Sequence, residues 1–464
     1  MKRLVRILMF IGLVSTLVGC LTQHTGIDPA IYKPFTTPTP RTKGLVIVGG
    51  GLEGSNVDVY SKFVEMAGGS SARIAVIPTA SGRPVKYSNM FINEVSGYGF
   101  PRNNIVVVPL AVANDKGTKD FDESTWAENV NKPEIAAMIR SCNAIWFVGG
   151  DQRRTTGLLY NEDGSQSLSL QAIWEVYNNG GVIGGTSAGA AVMSDPMIAG
   201  GDGWGGFVQP TSQDDMVIEE NLGQVGIMRG IGFFDKGMVD QHFDKKGRLG
   251  RLYSVMYDYC DRFDLGFGVD ENTAMIYYPE LNEIQAIGRG SVVIMDVSHM
   301  VKTTNHGARN LLISVIEKGD RYNLETRVVT PDFRKVDPAT DALQVVGNEY
   351  NGHLAKPITG LSQHPYLRDC LGWDLLDNKT NDQIRYYMID ENRNGVEIIF
   401  TKITDDTLIA DEIDNGAYFG GYTWDGVRSQ GWWNLLDGTL DQYTSANVAL
   451  EVKPVRFTIT PRNN

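Results

Sequence analysis

Three observations predict an α/β protein, a parallel sheet covered by helices on both faces with a smaller β-rich region after it. Short apolar strands alternate with helical segments from residue 44 to residue 193. Those strands are runs of Val, Ile, Leu and Phe rather than apolar–polar alternations, as strands buried on both faces should be. A G-x-S-x-G turn, Gly185-Thr186-Ser187-Ala188-Gly189, joins one such strand to an Ala-rich segment with helical character.

The elements follow in chain order. Residues 44–51 read as the first strand and its Gly-rich exit, 55–67 as a helix, and 73–78 as the next strand. Residues 88–98 read as a helix, 105–110 as a strand, and 133–140 as a helix entered by a proline at its first turn. Residues 144–150 form a fourth apolar strand and 167–178 a helix that leads to the serine strand. In such sheets, functional loops lie at the carboxyl ends of the strands. Beyond residue 235, segments 236–243 and 266–278 read as strands, and 244–261 as a long helix. Segments 283–287 and 291–297 suggest a hairpin turning through Gly288-Arg289-Gly290. From residue 333 the chain is richer in Asp, Asn, Gly, Trp and Tyr, with β-like stretches at 396–403 and 447–460 and no motif that suggests chemistry.

The N-terminus carries its own signal. Lys2, Arg3 and Arg6 precede an apolar stretch, 7–18, too short to span a bilayer comfortably. It ends Leu17-Val18-Gly19-Cys20, which resembles the lipobox of bacterial lipoprotein precursors. Residues 1–19 are therefore expected to be a signal peptide and Cys20 a lipidated cysteine. Residues 20–42, with Pro34, Pro38, Pro40 and several threonines, read as a tether. The expected location is exported and membrane-anchored, on the periplasmic face or cell surface.

Composition narrows the function. With 464 residues, 42% hydrophobic, the chain can bury a large core and hold two domains. A net charge of −13 argues against nucleic acid as a partner and suits a cationic substrate. Beyond Cys20, Cys142, Cys260 and Cys370 remain, so at most one disulfide forms among them, and no spacing suggests a metal site.

The serine is the center of the chemistry. The tight turn lifts its hydroxyl above the sheet edge at a helix N-terminus, where unpaired N–H groups favor a developing negative charge. A serine needs a base, and the base an orienting acid. Of 6 histidines, only His242 ends an apolar strand, Gly237-Met238-Val239-Asp240-Gln241-His242. Asp240, Asp270 and Glu271 are the candidate acids. The order Ser, His, acid differs from the Ser, acid, His order of the α/β-hydrolases, so the elbow belongs to a different sheet. The loop Gly49, Gly51, Gly54 fits G-x-G-x-x-G, but the second strand ends Ile77-Pro78-Thr79-Ala80 without the acid that a dinucleotide site wants. No cofactor is expected. The N–H groups of Gly50 and Gly51, with that of Ala188 after the serine, are instead candidate oxyanion donors.

Four segments, Gly149-Gly150-Asp151-Gln152, Gly185-Thr186-Ser187-Ala188-Gly189-Ala190, Asp240-Gln241-His242-Phe243 and Asp270-Glu271-Asn272-Thr273-Ala274, resemble in their order the cyanophycinases of the S51 serine peptidases. The resemblance runs from about residue 44 to about residue 329. It implies a flavodoxin-like or class I glutamine amidotransferase-like sheet. It implies Ser187 as nucleophile, His242 as base and Glu271 as orienting acid, with Gln152, Asp240 and Gln241 on substrate-binding positions. After His242 the family carries R-x-R-x-x-R, which reads here Lys246-Gly247-Arg248-Leu249-Gly250-Arg251. Lys246 keeps the charge of the first arginine but loses its planar fork. Arg248 and Arg251 are expected to clamp substrate carboxylates and Asp240 to pair with a guanidinium.

The expected organization is a signal peptide (1–19), a tether (20–42), a peptidase domain (43–332) and a β-rich C-terminal region (333–464). The activity implied is that of an exported serine exopeptidase. It would cleave cyanophycin, a poly-aspartate bearing arginine on each side chain, to β-Asp-Arg dipeptides through an acyl-enzyme. The partners implied are a polymer or peptide rich in Asp and Arg and a membrane held through Cys20, with a homodimer among the assemblies allowed. Two rival readings are an aspartyl or isoaspartyl dipeptidase of the same superfamily and a surface-binding lipoprotein on an inactive hydrolase fold.

Overall fold

The computed structural model describes residues 38–214, 223–336, 355–357, 367–376, 383–389, 394–403, 409–413, 417–422, 430–434 and 443–456. The expected signal peptide, Cys20 and the tether up to residue 37 lie outside the described residues, as does the end of the chain from residue 457.

Five parallel strands form the first sheet as the apolar runs predict: β1 (Gly44–Val48), β2 (Ile74–Ile77), β3 (Ile105–Val107), β4 (Ala144–Phe147) and β5 (Val182–Thr186). Their order in space is β1, β5, β4, β2, β3, and four further strands continue it beyond β1 to complete nine. Both faces are covered, which is why these strands lack alternation. Val46, Val48, Ile74, Val76 and Trp146 pack under the helices Val57–Ala67 and Pro84–Gly97. Leu45, Ile47, Ala75, Ile77 and Phe147 face a second core shared with the helices Pro133–Arg140 and Leu168–Asn178.

The second sheet begins with Met238–Gln241, which lies parallel to Leu265–Val269. Val292–Asp296 and Ala308–Ile316 extend it antiparallel. Here the C-terminal region joins: Tyr443–Arg456 pairs with Ala308–Ile316, and Asn394–Thr401 and Gln383–Ile389 follow. Leu371, Leu375, Ile398, Phe400, Val448 and Leu450 share one core with Leu252 and Met256 of the helix Leu249–Asp258.

Several expectations change. The helix expected at 88–98 begins at Pro84, again with proline in its first turn. A helix not anticipated, Gln152–Leu159, follows Asp151, whose carboxylate accepts the Arg153 N–H as an N-cap. The long helix expected at 244–261 forms only over Leu249–Asp258, because Gly247 adopts a left-handed φ of 56° that no helix interior accepts. The single strand expected at 266–278 is two strands in different sheets: Leu265–Val269 in the second and Thr273–Tyr278, antiparallel to β1, in the first. The expected hairpin is not one. Glu283–Gly288 pairs with Thr273–Tyr278 in the first sheet, while Val292–Asp296 lies in the second.

The reason is a double crossing. The chain passes from the second sheet to the first at residues 270–272 and returns at 289–291. The two crossings are bonded side by side, through Arg289 N–H to Asn272 O (3.1 Å), Gly290 N–H to Thr273 Oγ1 (2.7 Å) and Ser291 N–H to Asp270 Oδ2 (2.8 Å). Period-2 patterning shows that a segment is a strand, not which sheet it enters.

Candidate active site

Ser187 lies between β5 and the short helix Ala188–Ala191 with φ 56° and ψ −114°, a conformation rarely adopted by a residue with a Cβ and typical of a strained elbow. The turn closes because Gly185 and Gly189 touch: a Cβ on Gly185 would lie within 2.5–3.1 Å of Gly189 backbone atoms. The Ser187 N–H donates to Val48 O (2.9 Å), which fixes the elbow to β1. As the first helical residue, Ala188 carries one of the N–H groups that a helix start leaves unpaired. Gly149 flanks the serine closely, since a Cβ there would lie 3.2 Å from Ser187 Cβ.

His242 follows the last residue of Met238–Gln241, also with positive φ (49°). Its backbone N–H donates to Gly49 O (2.6 Å). Its Nε2 lies 2.8 Å from Ser187 Oγ, and its Nδ1 lies 2.6 Å from Glu271 Oε1. Of the three candidate acids, Glu271 is thus the one on the imidazole. It sits on the crossing between sheets, pinned from both sides. Its N–H donates to Asp244 Oδ1 (3.0 Å), and the next residue, Asn272, donates its N–H to Gly50 O (2.8 Å). Asn272 is held further by Asn56 Nδ2, bonded to its backbone O (2.7 Å) and Oδ1 (2.8 Å).

Burial, the dominant cause, pulls the His242 pKa below that of a free imidazole, and Lys246 and Arg248 add to this, while the Glu271 hydrogen bond opposes it. The imidazole is therefore neutral at neutral pH and able to accept the serine proton. His242 and Glu271 side chains retain 15% and 28% of their exposure, so the site opens to solvent.

The loop expected to supply oxyanion donors does something else as well. Gly50 (φ 100°) lies against the His242 ring, where a Cβ would overlap Cε1 and Nε2, and a Cβ on Gly51 would come 2.7 Å from Glu271 Oε2. Gly50 and Gly51 thus give the base and the acid room. Gly149 and Ala188 also flank the serine.

The charged set also rearranges. Asp240 (1% exposed) and Arg251 (3% exposed) are buried against each other, with Arg251 Nε 2.8 Å from Asp240 Oδ2 and Nη2 bonded to Oδ1. Burial alone would raise the Asp240 pKa, but Arg251 and Arg248 outweigh it and hold the carboxyl below its usual value. Asp240 and Arg251 are thus paired with each other in the interior, where the sequence reading expects Arg251 to meet a substrate carboxylate and Asp240 a substrate guanidinium. Arg248 is the N-cap residue of its helix rather than a helical neighbor of Arg251, and its Nη1 donates to Gln241 O. Burial and the adjacent Arg251 lower its pKa to about 9, so it remains cationic at neutral pH. Lys246 is exposed beside it.

Gln152 is buried, its Nε2 donating to Ile198 O (2.9 Å) and Ala199 O (3.2 Å). Gln241 is buried with its Oε1 lacking a hydrogen-bond partner among the described residues. Sequence reasoning gives no role to Asn56, Asp244 and Ser291, because their partners lie far along the chain, and Asn272 enters it only as part of the segment Asp270-Glu271-Asn272-Thr273-Ala274. Among the described residues no cluster suits a metal ion, and Cys142, Cys260 and Cys370 are unbridged.

A serine, an imidazole and a carboxylate in one hydrogen-bonded line, with the serine on a strand–turn–helix elbow, define the site of a serine-type hydrolase. Comparison with known proteins narrows the class. The chain is 32% identical over 296 residues to the cyanophycinase of Geminocystis herdmanii, covering 62% of this chain and 95% of that protein. It is 31% identical over 316 residues to the cyanophycinase of a Nostoc species, covering 66% of this chain and 94% of that one. A crystal structure of a peptidase from an acI-B1 Actinobacterium aligns with 61% of this chain and 97% of its own at 18% identity and a TM-score of 0.43. No protein-family model matches the chain. The chain belongs to the cyanophycinase family and is a serine-type peptidase.

Proposed function

We propose that this peptidase hydrolyses cyanophycin to β-Asp-Arg dipeptides, with Ser187 as nucleophile, His242 as general base and Glu271 as the acid that orients it. The observation that carries the mechanism is the line Ser187 Oγ, His242 Nε2 and Nδ1, Glu271 Oε1, at 2.8 and 2.6 Å. His242 takes the serine proton as Oγ attacks the carbonyl carbon, and the resulting oxyanion is stabilised by the Ala188 N–H and the glycine loops. The proton passes to the leaving amine, and water hydrolyses the acyl-enzyme by the same route. The substrate class rests on the curated relatives named cyanophycinase. Lys246, which is exposed, and the largely buried Arg248 are the cations assigned to substrate carboxylates in this reading. The unpartnered Gln241 Oε1 is an acceptor for a substrate N–H, and Gln152, whose Nε2 is held by Ile198 O and Ala199 O, keeps its side-chain oxygen for a second such contact. Asp240 and Arg251 serve as the buried brace beneath them.

The test is incubation of the protein, and of Ser187→Ala, with purified cyanophycin and separately with aspartyl and isoaspartyl dipeptides, followed by mass analysis of products. Serine-dependent release of β-Asp-Arg supports the reading. Cleavage of the dipeptides alone would favor a dipeptidase, which the departure at Lys246 keeps as the second reading.

We also propose export as a lipoprotein through Cys20, supported by the basic and apolar N-terminus and Leu-Val-Gly-Cys. Among the described residues no helix is long and apolar enough to cross a membrane. Mass spectrometry of the membrane fraction tests this: a diacylated N-terminal Cys20 supports it, and a chain beginning at Met1 refutes it.

A further inference from the structure

The family resemblance stops near residue 329, yet the region beyond it reaches the back of the active site. Arg368, from the short helix Leu367–Asp369, places Nη1 3.3 Å from Oε1 of Glu317, a side chain with no solvent exposure. The same Oε1 accepts the Ser291 hydroxyl at 3.0 Å. Ser291 is clamped to Asp270 by two bonds, Ser291 N–H to Asp270 Oδ2 (2.8 Å) and Asp270 N–H to Ser291 O (3.1 Å). The next residue is Glu271. Asp244, which accepts the Glu271 N–H, lines one small cavity of about 30 Å³ together with Asp270, Ser291, Arg248 and Arg368.

Three carboxylates, Asp244, Asp270 and Glu317, thus converge behind the acid of the triad. Two of them are almost fully buried, Asp270 at 5% exposure and Glu317 at 0%. Arg248, the one cavity cation from the peptidase sequence, is turned to Gln241 O and Asp240. Two cations act on Glu317: Arg368, in ion-pair contact with it, and Lys335, bonded to Asp320 Oδ2, which also accepts the Glu317 N–H. Unbalanced buried charge is costly and is relieved by movement or proton uptake. Movement of Asp270 would reach Glu271 through a single peptide bond.

We propose that the C-terminal region is part of the catalytic unit and that Arg368, which it contributes, is a positioning residue for the Glu271–His242 pair, acting through Glu317, Ser291 and Asp270. This rests on the triad reading but not on the identity of the polymer. Its test therefore uses a small activated ester that acylates Ser187.

The full chain, Ser187→Ala, Arg368→Met, Arg368→Lys and Glu317→Gln are compared for ester kcat and KM, with thermal melting to establish folding. If the parent and Ser187→Ala turn over the ester alike, the triad reading fails and this inference with it. If the parent alone is active, Arg368→Met should lower kcat between about tenfold and a hundredfold, as for a small misplacement of reacting groups. KM should stay within about twofold of the parent, and Arg368→Lys should recover most of kcat. Should Arg368→Met not fold, Glu317→Gln should show the same loss of kcat at unchanged KM. Folded Arg368→Met with parental kcat, even with a lower melting point, would overturn the proposal. So would a change confined to KM, or failure of lysine to rescue.

Discussion

The two halves of the triad are held by different kinds of structure. Ser187 belongs to a single continuous stretch, β5, the elbow and the helix Ala188–Ala191, whose turn closes through Gly185 and Gly189 two residues away on either side, with one distant bond, Ser187 N–H to Val48 O, fixing it to β1. His242 and Glu271 sit where the chain passes between the sheets. They are held by bonds that span the molecule: His242 N–H to Gly49 O, Asn272 N–H to Gly50 O, and Asn56 to Asn272. The nucleophile is thus a local product, whereas the base and acid depend on the docking of the two sheets. A local change should remove the serine's chemistry and leave the fold. A change on the other side should disturb geometry and stability together.

The largest effect tests the local side. Ser187→Ala should lower hydrolysis by a factor on the order of 10⁶, as removal of a triad nucleophile does. Its melting point should change little, because alanine fits the same turn. Glu271→Gln should cost about 10⁴ in kcat through loss of the imidazole's orientation and tautomer. Steady-state kinetics and melting curves check both, and a Ser187→Ala variant that unfolds would break the comparison.

Next comes the brace under the base. Asp240→Asn leaves the Arg251 guanidinium buried without its anion, which should destabilise the protein by about 3–5 kcal/mol. Urea unfolding measures this. A loss below about 1 kcal/mol, with weaker polymer binding, would mean that Asp240 faces substrate after all.

Gly50→Ala should be smaller but double in character. The added methyl meets the His242 ring and the backbone holds φ 100°, so about 1–3 kcal/mol of strain is expected, together with slower acylation. Loss of stability without loss of rate would show that the loop and the imidazole are less coupled than their contact implies.

The smallest effect sharpens the electrostatics. Because burial, Lys246 and Arg248 hold His242 below an ordinary imidazole, the acid limb of the pH–rate profile should fall below the usual histidine value. The neutral base is required, so activity is lost as pH falls through that pKa. Lys246→Gln removes one of the lowering charges and should move the limb to higher pH. An unmoved limb would place Lys246 too far from the imidazole to matter.

The parallel half of the fold and the elbow are legible from sequence because their information is local. Apolar runs in β1, β4 and β5 mark two-sided burial, and Gly185, Ser187 and Gly189 mark a turn that only small residues can make. His242 was legible for a related reason, as a histidine ending an apolar strand. The acid was not: Asp240, Asp270 and Glu271 stand equal in local sequence, and only resemblance to a family separated them. In the sequence the double crossing reads as one strand and a hairpin, because alternation reports burial and not the partner sheet.

What the sequence determined by itself was therefore the order of the five parallel strands, the nucleophile turn and the residue types available to it. What only tertiary structure decided was which charges meet. Asp240 and Arg251, 11 positions apart, cancel one another in the interior, while Glu271, 84 positions beyond Ser187, reaches its imidazole. Local patterning follows from backbone geometry and burial over a few residues, both written in the chain. Pairing of charges across the molecule depends on how the sheets dock, and that depends on the whole core at once.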